Sequence, residues 1–228
     1  TFSLVALMID PFRCPHSILE RPPNRLVGMS ETSGTAALPR VAMLGAGSMG
    51  GAILAGLRAP GVRVEGPISV TTRSAESAAR FDGDRDVAAF ATEADPEANR
   101  RAVRGAGLVV LSMKPWMVHD VLREISGALE PGAIVVSVAA GVTIASLEAL
   151  LPEGVAVLRA MPNTPSLIGR GITGIAAGGS AGPEAVETVE RLFSTVGEVL
   201  VVREDQINAV TAISGSGPAY LFLYAEEM

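Results

Sequence analysis

A glycine-rich turn follows the first strongly apolar run of the folded region, Val41–Leu44, and precedes a stretch with helical spacing, Met49–Leu57. The turn reads Gly45-Ala46-Gly47-Ser48-Met49-Gly50, which has the spacing G-x-G-x-x-G. Between a strand and a helix, the first glycine permits a tight turn, the second lets backbone approach a pyrophosphate, and the third lets the helix pack closely on the sheet. We therefore predict that this turn binds a dinucleotide at a helix N-terminus. A purely structural glycine turn is the alternative.

Short apolar runs alternate with amphipathic stretches along the rest of the chain. This alternation is typical of an α/β fold in which crossover helices cover both faces of a parallel sheet. The runs predicted as strands are 41–44, 68–72, 87–91, 108–113, 134–138, 155–160, 171–177 and 197–202. Further helical segments begin at Glu204 and at Pro218. The predicted fold is a Rossmann-type, doubly wound sheet followed by the start of an all-helical C-terminal domain.

Domain boundaries are predicted near residues 40 and 204. Residues 1–39 are rich in proline and polar residues and are expected to form an unpacked leader, with Met29 as an alternative start. The apolar stretch Thr1–Ile9 lacks the basic residues that precede a secretory signal. Residues 40–203 form the predicted dinucleotide-binding domain, and residues 204–228 begin the helical domain.

Composition excludes several classes of protein. The chain has 18 Lys and Arg against 24 Asp and Glu, a net charge of −6, which argues against nucleic acid or an anionic membrane as a partner. One cysteine and two histidines make a disulfide framework or a zinc site improbable. No apolar run approaches the roughly 20 residues that span a bilayer. We expect a cytoplasmic protein without a metal.

The end of the second predicted strand bears on the choice of dinucleotide. An NAD site places Asp or Glu on the ribose 2′-hydroxyl about 20 residues beyond the glycines. Here the strand ends Thr71-Thr72-Arg73-Ser74, and a hydroxyl with a guanidinium suits a 2′-phosphate. We therefore predict NADP as cofactor, with NADPH preferred and NADH possible. The alternative is that Arg73 only solvates a helix start.

Other motifs follow predicted strand ends or precede a helix. Ser112–Pro115 closes the fourth strand and contains the only lysine, Lys114. Ser137–Gly141 and Met161–Pro165 follow the next two strands and are expected to line the nicotinamide pocket. In Ser214–Tyr220, a proline at the first helical position follows serines and glycines, so free N–H groups there would form a carboxylate cradle. A plain helix cap is the alternative.

These segments, in this order, resemble pyrroline-5-carboxylate reductase, the NAD(P)H enzyme family that completes proline biosynthesis. The resemblance runs from about Val41 to Met228 and includes MPNTP and SGSGPAY. It implies substrate binding by Ser214, Gly215, Ser216 and Gly217, and places Glu204 near a substrate-adjacent acid. The cofactor-binding positions that it implies are Leu44, Gly45, Ala46, Gly47, Ser48, Met49, Gly50, Thr72, Arg73, Asn99, Ser112, Met113, Lys114, Pro115, Ala139, Ala140 and Gly141.

The resemblance also implies a function and a partner. It predicts reduction of a cyclic imine carboxylate, 1-pyrroline-5-carboxylate, to L-proline, by a homodimer or higher oligomer. It further implies that the helical domain continues beyond Met228. Asn208 departs from the family, whose members usually carry aspartate there. No catalytic residue is assigned, because a protonated imine needs positioning more than acid–base groups.

Two other functions remain open at this point. One is a β-hydroxyacid dehydrogenase relative, which shares the glycine spacing. That class carries a catalytic lysine after the cofactor domain, and this chain has no lysine beyond Lys114. The other is a catalytically inactive NADP-binding fragment, expected if the helical domain is missing.

Overall fold

Eight strands form one sheet in residues 37–228, the part of the chain that this computed structural model describes. Residues 1–36, most of the predicted leader with Met29, lie outside the described residues. The strands are β1 Val41–Leu44, β2 Ile68–Thr72, β3 Val87–Ala91, β4 Leu108–Leu111, β5 Ile134–Ser137, β6 Ala156–Met161, β7 Gly171–Ala177 and β8 Gly197–Val201. All eight predicted strands are present, and four of them have the predicted bounds.

Eight helices accompany the strands in the described region. They are α1 Ser48–Leu57, α2 Ala75–Ala79, α3 Ala98–Val103, α4 Pro115–Ile125, α5 Ile144–Glu148, α6 Pro183–Ser194, α7 Ile207–Val210 and α8 Gly217–Glu226. Short 3₁₀ turns occupy Ser126–Ala128, Thr164–Ile168 and Glu204–Gln206, and a π-helical turn occupies Thr211–Gly215. None of these helices combines the length and the apolar character that crossing a bilayer requires.

The sheet has the strand order β3-β2-β1-β4-β5-β6-β7-β8. Every neighbouring pair is parallel except β6 and β7, which are antiparallel. The expectation of a wholly parallel sheet is therefore wrong at β7. A parallel return needs a crossover of about a dozen residues or more, and residues 162–170 contain only a 3₁₀ turn. Helix α6 then supplies the crossover that makes β8 parallel to β7.

Helices cover both faces of the sheet, as predicted. Val41 and Met43 pack with α1 and α6, whereas Ala42 and Leu44 pack with α3, α4 and α5. Successive side chains of a strand point to opposite faces, so β1 contributes to both clusters. Burial on both faces explains why the central strands are continuous apolar runs rather than alternating ones.

Leu38 packs into the core, although it lies two residues before the predicted boundary at residue 40. Leu38, assigned to the leader, is only 4% exposed and belongs to the core on the α1 side of the sheet. Its N–H donates to the carbonyl of Arg63 at 2.8 Å, and it forms an isolated bridge with Val64. The proline-rich composition obscured this single apolar residue, which extends the chain alongside Val64 before β1.

Candidate active site

Five of the predicted segments follow the carboxyl ends of neighbouring parallel strands. The glycine turn follows β1, Thr72 and Arg73 end β2, Ser112–Pro115 follows β4, and the two nicotinamide-pocket segments follow β5 and β6. These five strands are adjacent in the order β2-β1-β4-β5-β6. The structure therefore brings the segments to one edge of the sheet. The strand order reverses between β1 and β4, and ligands of open α/β sheets bind in the crevice at such a reversal.

The glycine turn is built against the end of β4. Gly45 has a φ of +92°, and a Cβ there would lie 2.8 Å from the carbonyl oxygen of Ser112. The Ser112 hydroxyl donates a hydrogen bond to the Gly45 carbonyl. A Cβ on Gly50 would collide with that same carbonyl and with the Ser112 hydroxyl. Two of the three glycines are thus required by the turn's own packing, as the motif predicts.

Gly47 has no such internal requirement. It is the N-cap of α1 with φ −72° and ψ −162°, a conformation that any residue adopts, and no described atom lies within 4 Å of an added Cβ. The space that a Cβ would fill is therefore left for something outside the chain. A phosphate at the N-terminus of α1 suits this position, because unpaired N–H groups and the helix dipole favour an anion there. The turn fits a dinucleotide.

A groove of about 580 Å³ keeps this turn open to solvent. It runs from Gly47 and Ser48 along the outer side of α1 to Arg80 and Phe81, with Leu167 on its border. Within residues 37–228, the turn is therefore not buried under other parts of the chain. Among residues 37–228, no group of three or more His, Cys, Asp or Glu residues is arranged to hold a metal ion.

Arg73 is held by a carboxylate that the sequence interpretation missed. Its Nε donates to Oε1 of Glu93 at 2.8 Å, and its side chain is 88% exposed. The backbone supports the pair, since the Glu93 N–H donates to the Arg73 carbonyl at 3.0 Å. Glu93 lies two residues after the end of β3. It comes beside β2 because Thr72 pairs with Ala91. Nothing in the local sequence around Arg73 signals this partner.

Thr72 and Asn99 make structural hydrogen bonds. The Thr72 hydroxyl donates to the carbonyl of Ser74 at 3.1 Å. The amide of Asn99 in α3 donates to Oε2 of Glu124 at 2.9 Å, near the C-terminal end of α4. The amide group of Asn99 is therefore engaged in joining α3 to α4. Its implied role in cofactor binding stays a prediction.

Among the described residues, one carboxyl has a clear pKa shift, and it lies in the turn before α3. The N–H of Glu97 donates to Asp95 at 2.9 Å, and Arg101 lies 2.7 Å from the other carboxylate oxygen of Asp95. The hydrogen bond from Glu97, followed by the interaction with Arg101, lowers the pKa of the Asp95 carboxyl. This carboxylate stabilises the turn that leads from β3 into α3.

The segment after β5 presents backbone to the same edge. Ala139 is buried and its N–H donates to the Ser137 hydroxyl at 3.2 Å. Gly141 has a φ of +76° and no described atom within 4 Å of an added Cβ. Lys114, after β4, is the exposed N-cap residue of α4, with Pro115 at the first helical position. These residues leave the edge lined by backbone and small side chains.

The serine segment differs from its predicted geometry. It was expected to stand before a helix N-terminus with free N–H groups, but residues 207–226 are one nearly continuous helix with a π turn at Thr211–Gly215. The hydroxyl of Ser214 donates to the carbonyl of Val210 at 2.9 Å, and that of Ser216 to the carbonyl of Thr211 at 3.1 Å. Glycine and proline suggested a break, but the wider π turn accommodates them without one.

Asn163 connects this serine segment to the strand edge. It follows β6 within the MPNTP stretch, and its Nδ2 donates to the Ser214 carbonyl at 3.0 Å. The two most distinctive motifs of the sequence are therefore in direct contact. The serine segment therefore lies beside the segment that follows β6.

Glu204 also has partners that sequence reasoning did not find. Its Oε1 accepts the N–H of Ile144 at 2.7 Å and lies 3.4 Å from a guanidinium nitrogen of Arg159. The Arg159 side chain is only 5% exposed and its Nε has no partner among the described residues. Glu204 thus joins α5, β6 and the start of the helical segment. Its position near a substrate-adjacent acid of some relatives, which the resemblance implies, stays a prediction.

Comparisons with known protein families divide the chain in two. Residues 40–141 match the family described as NADP oxidoreductase, coenzyme F420-dependent. Residues 204–228 match the family described as pyrroline-5-carboxylate reductase dimerisation. A cofactor-binding module and the beginning of a dimerisation module therefore follow one another in this chain.

Curated relatives carry one name. The pyrroline-5-carboxylate reductase of Pseudomonas aeruginosa is 41% identical over 191 residues, which cover 83% of this chain and 67% of the relative. That of Escherichia coli is 35% identical over 189 residues, covering 83% and 68%. The chain spans about two thirds of the length of these relatives.

Solved structures agree with this relationship. A pyrroline-5-carboxylate reductase from Coxiella burnetii is 35% identical, with a TM-score of 0.73, and the match covers 83% of this chain and 68% of that one. The Plasmodium falciparum enzyme, solved with NADP bound, is 23% identical with a TM-score of 0.68 and coverage of 82% and 66%. A 3-hydroxyisobutyrate dehydrogenase of Mycobacterium tuberculosis is 16% identical, with a TM-score of 0.58 and coverage of 77% of this chain and 59% of that one. At this identity it shares the fold alone. The chain belongs to the pyrroline-5-carboxylate reductase family, oxidoreductases that use NAD(P)H in the last step of proline biosynthesis.

Proposed function

We propose that the sheet edge described above binds NADPH and 1-pyrroline-5-carboxylate side by side, and that the protein reduces this imine to L-proline. The observation that carries the proposal is the contact between Asn163 and the Ser214 carbonyl. It brings the segment implied in substrate binding to the strand ends where the glycine turn lies. What we propose is where the cofactor and the substrate bind at this edge.

The cofactor half of the proposal rests on the turn at β1. Gly47 leaves room for a pyrophosphate at the N-terminus of α1. Ser112–Pro115 and Ala139–Gly141 are proposed to border the rest of the dinucleotide, because they follow the next two strands at the same edge.

Preference for NADPH over NADH rests on Arg73. Its Nε is engaged by Glu93, which leaves the terminal nitrogens of a largely exposed guanidinium available for phosphate oxygens. A guanidinium donates several N–H groups in one plane, which suits a 2′-phosphate. Glu93 holds the guanidinium of Arg73 in place, and its negative charge also repels the 2′-phosphate.

The substrate half rests on the serine segment. A carboxylate accepts charge-assisted hydrogen bonds, which are stronger than the bonds that Ser214 and Ser216 make to helix carbonyls. We propose that these hydroxyls turn from the carbonyls of Val210 and Thr211 to the substrate carboxylate. The neighbouring Gly217, where an added Cβ would meet no described atom within 4 Å, leaves space for the ring.

The protein's contribution to the reaction is positioning. When bound, the reduced nicotinamide supplies a hydride to the carbon of the C=N bond. Holding two reactants in contact removes much of the entropic barrier, so the residues need only fix the imine carboxylate and the dinucleotide. This agrees with an edge lined by backbone, hydroxyls and small side chains.

The domain division and assembly complete the proposal. We propose a dinucleotide-binding domain at residues 40–203 and a dimerisation domain that begins at 204, where the family match also begins. Helix α8 exposes Tyr220, Leu221, Phe222, Leu223 and Tyr224, which a second copy would cover in a homodimer or higher oligomer. The acidic charge and single cysteine support a cytoplasmic location.

The test combines binding and turnover on one sample of assembled protein. Titration with NADPH should give saturable binding, and adding 1-pyrroline-5-carboxylate should cause NADPH oxidation with formation of proline. Binding without proline formation would reject the substrate half alone. Absence of both would reject the proposal.

A further inference from the structure

Pro218 leaves one carbonyl of the serine segment without its usual donor. In an α-helix, the N–H of each residue bonds to the carbonyl four residues earlier, and proline has no N–H to give. The residue four before Pro218 is Ser214, which lies in the π turn, where a carbonyl can also accept the N–H five residues later, here that of Ala219. The next N–H along the chain, that of Ala219, donates to Ser216 at 3.0 Å instead.

Asn163 supplies the missing donor from outside the helix. Its Nδ2 lies 3.0 Å from the Ser214 carbonyl oxygen. Its Oδ1 accepts the N–H of Ile172 in β7 at 2.9 Å. A carbonyl can only accept and an N–H can only donate, so these two contacts determine the orientation of the amide. The residue is buried, and both ends of its side chain are engaged.

We infer that Asn163 is a positioning residue that fixes the serine segment, and with it the substrate carboxylate, relative to the nicotinamide. The inference rests on the proposed role of Ser214–Gly217 in substrate binding. Asn163 begins the connection between β6 and β7, so it ties the serine segment to the rigid sheet that carries the cofactor turn. Pro218 has no N–H for the Ser214 carbonyl, and the Asn163 amide donates to that carbonyl instead. This hydrogen bond couples the two motifs.

The first experiment is Asn163→Asp in the full assembled protein. The carboxylate still accepts the Ile172 N–H but cannot donate to Ser214. We expect the KM for the imine to rise by about 10-fold to 100-fold, the range that a small misplacement of substrate produces. The KM for NADPH should change by less than about twofold, because the cofactor turn is untouched. If Asn163 had only a structural role, the substitution would weaken imine binding and NADPH binding together, or would weaken neither.

Asn208→Asp is the matched control. Asn208 is exposed on α7 in the same helical segment, and among the described residues its side chain makes no hydrogen bond to the strand edge, so the identical chemical change there leaves that edge intact. Its KM values should equal those of the parent protein. An equal rise in imine KM for both variants would assign the effect to added charge and overturn the inference.

The second experiment restores the donor from within the helix. Pro218→Ala provides an N–H that can bond to the Ser214 carbonyl, so it should reduce the need for Asn163. We expect Asn163→Ala to raise the imine KM strongly in the parent, but by less than about threefold in the Pro218→Ala background. The same increase in both backgrounds would show that Asn163 acts elsewhere.

Amide hydrogen exchange separates this inference from the proposed function. Exchange within residues 211–217 should be faster in Asn163→Asp than in the parent without any substrate, because the segment has lost its tie to the sheet. Should the parent protein not reduce the imine, the proposed function fails while this measurement still tests the tie. Unchanged exchange in that segment would overturn the inference. If Asn163→Asp does not fold, the same exchange measurement is made on the uncharged variant Asn163→Ala, in the parent and in the Pro218→Ala background.

Discussion

The guanidinium Nε of Arg73 lies 2.8 Å from Oε1 of Glu93, so the arginine that directly follows β2 is paired with an anion that follows β3. The Arg73 side chain is nevertheless largely exposed, and its hydrogen bond to Glu93 uses Nε rather than a terminal nitrogen. Glu93 therefore orients Arg73 without covering it. This pair is where the structure allows a choice between the two nicotinamide dinucleotides.

Arg73→Ala should reduce selectivity for NADPH. Loss of a charge-assisted hydrogen bond to phosphate costs about 1.5–3 kcal/mol, so the Kd for NADPH should rise by about 10-fold to 100-fold. The Kd for NADH, which has no 2′-phosphate, should change little. Equilibrium titration with both dinucleotides measures the difference. Arg123→Ala, which breaks another exposed ion pair away from this edge, is the control. Equal weakening of both cofactors would show that Arg73 does not bind the 2′-phosphate.

Glu93→Gln should shift selectivity in the opposite direction. The amide oxygen still accepts from the Nε of Arg73, but the negative charge beside the phosphate is gone. At such exposure a charge is worth about 0.2–1 kcal/mol, so NADPH should bind about twofold to fivefold more tightly at low salt. The gain should shrink as ionic strength increases, because salt screens exposed charges. Weaker NADPH binding would indicate that orientation of Arg73 outweighs the charge of Glu93.

Gly47→Ala tests the space kept open at the N-terminus of α1. An added methyl group meets no described atom, so the fold should tolerate it, but it would occupy the path of a pyrophosphate. We expect NADPH affinity to fall by about 10-fold or more, in line with the cost of losing a close backbone approach to phosphate. Isothermal titration provides the measurement.

Gly182→Ala is the matched control for that variant. Gly182 is the N-cap of α6, with φ −71° and ψ 173°, and an added Cβ there also meets no described atom. Replacing an N-cap glycine by alanine should cost the two helices a similar, small amount of stability. Thermal unfolding should therefore respond alike to both variants, and NADPH binding only to Gly47→Ala. Intact binding in Gly47→Ala would remove the argument that this glycine faces the cofactor.

Glu204 is expected to stabilise the junction of α5, β6 and the helical segment. Glu204→Ala removes an acceptor from the Ile144 N–H and leaves the buried Arg159 without its carboxylate. The free energy of unfolding should fall by about 1–3 kcal/mol. The lower end of this range applies because Glu204 is partly exposed. Glu204→Gln keeps an acceptor and should lose about half as much. Urea unfolding measures both, with the exposed Glu187→Ala as control. Equal stability of the three variants would contradict this role.

The exposed face of α8 should govern assembly. Leu221 and Tyr224 are more than 60% exposed and are three residues apart, so they share one side of the helix. Replacing both by Gln should weaken self-association by at least about 10-fold, because burying a large apolar side chain contributes about 1.5–3 kcal/mol. Light scattering after size exclusion should show a smaller particle at micromolar concentration. Trp116→Gln, an exposed apolar residue on α4, should leave the mass unchanged. An unchanged mass in the α8 variant would place the interface elsewhere.

Local pattern was sufficient for the strands, the glycine turn and most helices. The apolar run Val41–Leu44 predicted a strand with the observed bounds, because a strand buried on both faces must be apolar throughout. Gly171–Ala177 also has the predicted bounds, although Ile172 and Ala177 are exposed. The spacing of Gly45, Gly47 and Gly50 predicted the turn, because the left-handed φ that Gly45 adopts is open to glycine whatever its neighbours. Short-range sequence encodes these features directly.

Contacts between distant residues were decided by the tertiary structure. The antiparallel entry of β7, the pairing of Arg73 with Glu93, and the ties of Asn163 to Ser214 and of Glu204 to Arg159 were not predicted. Each depends on which strands become neighbours, and no local periodicity carries that information. The sequence alone determined which residues would stand at strand ends; the order of the strands decided which of those residues would meet, because hydrogen bonds and ion pairs act only over a few ångströms.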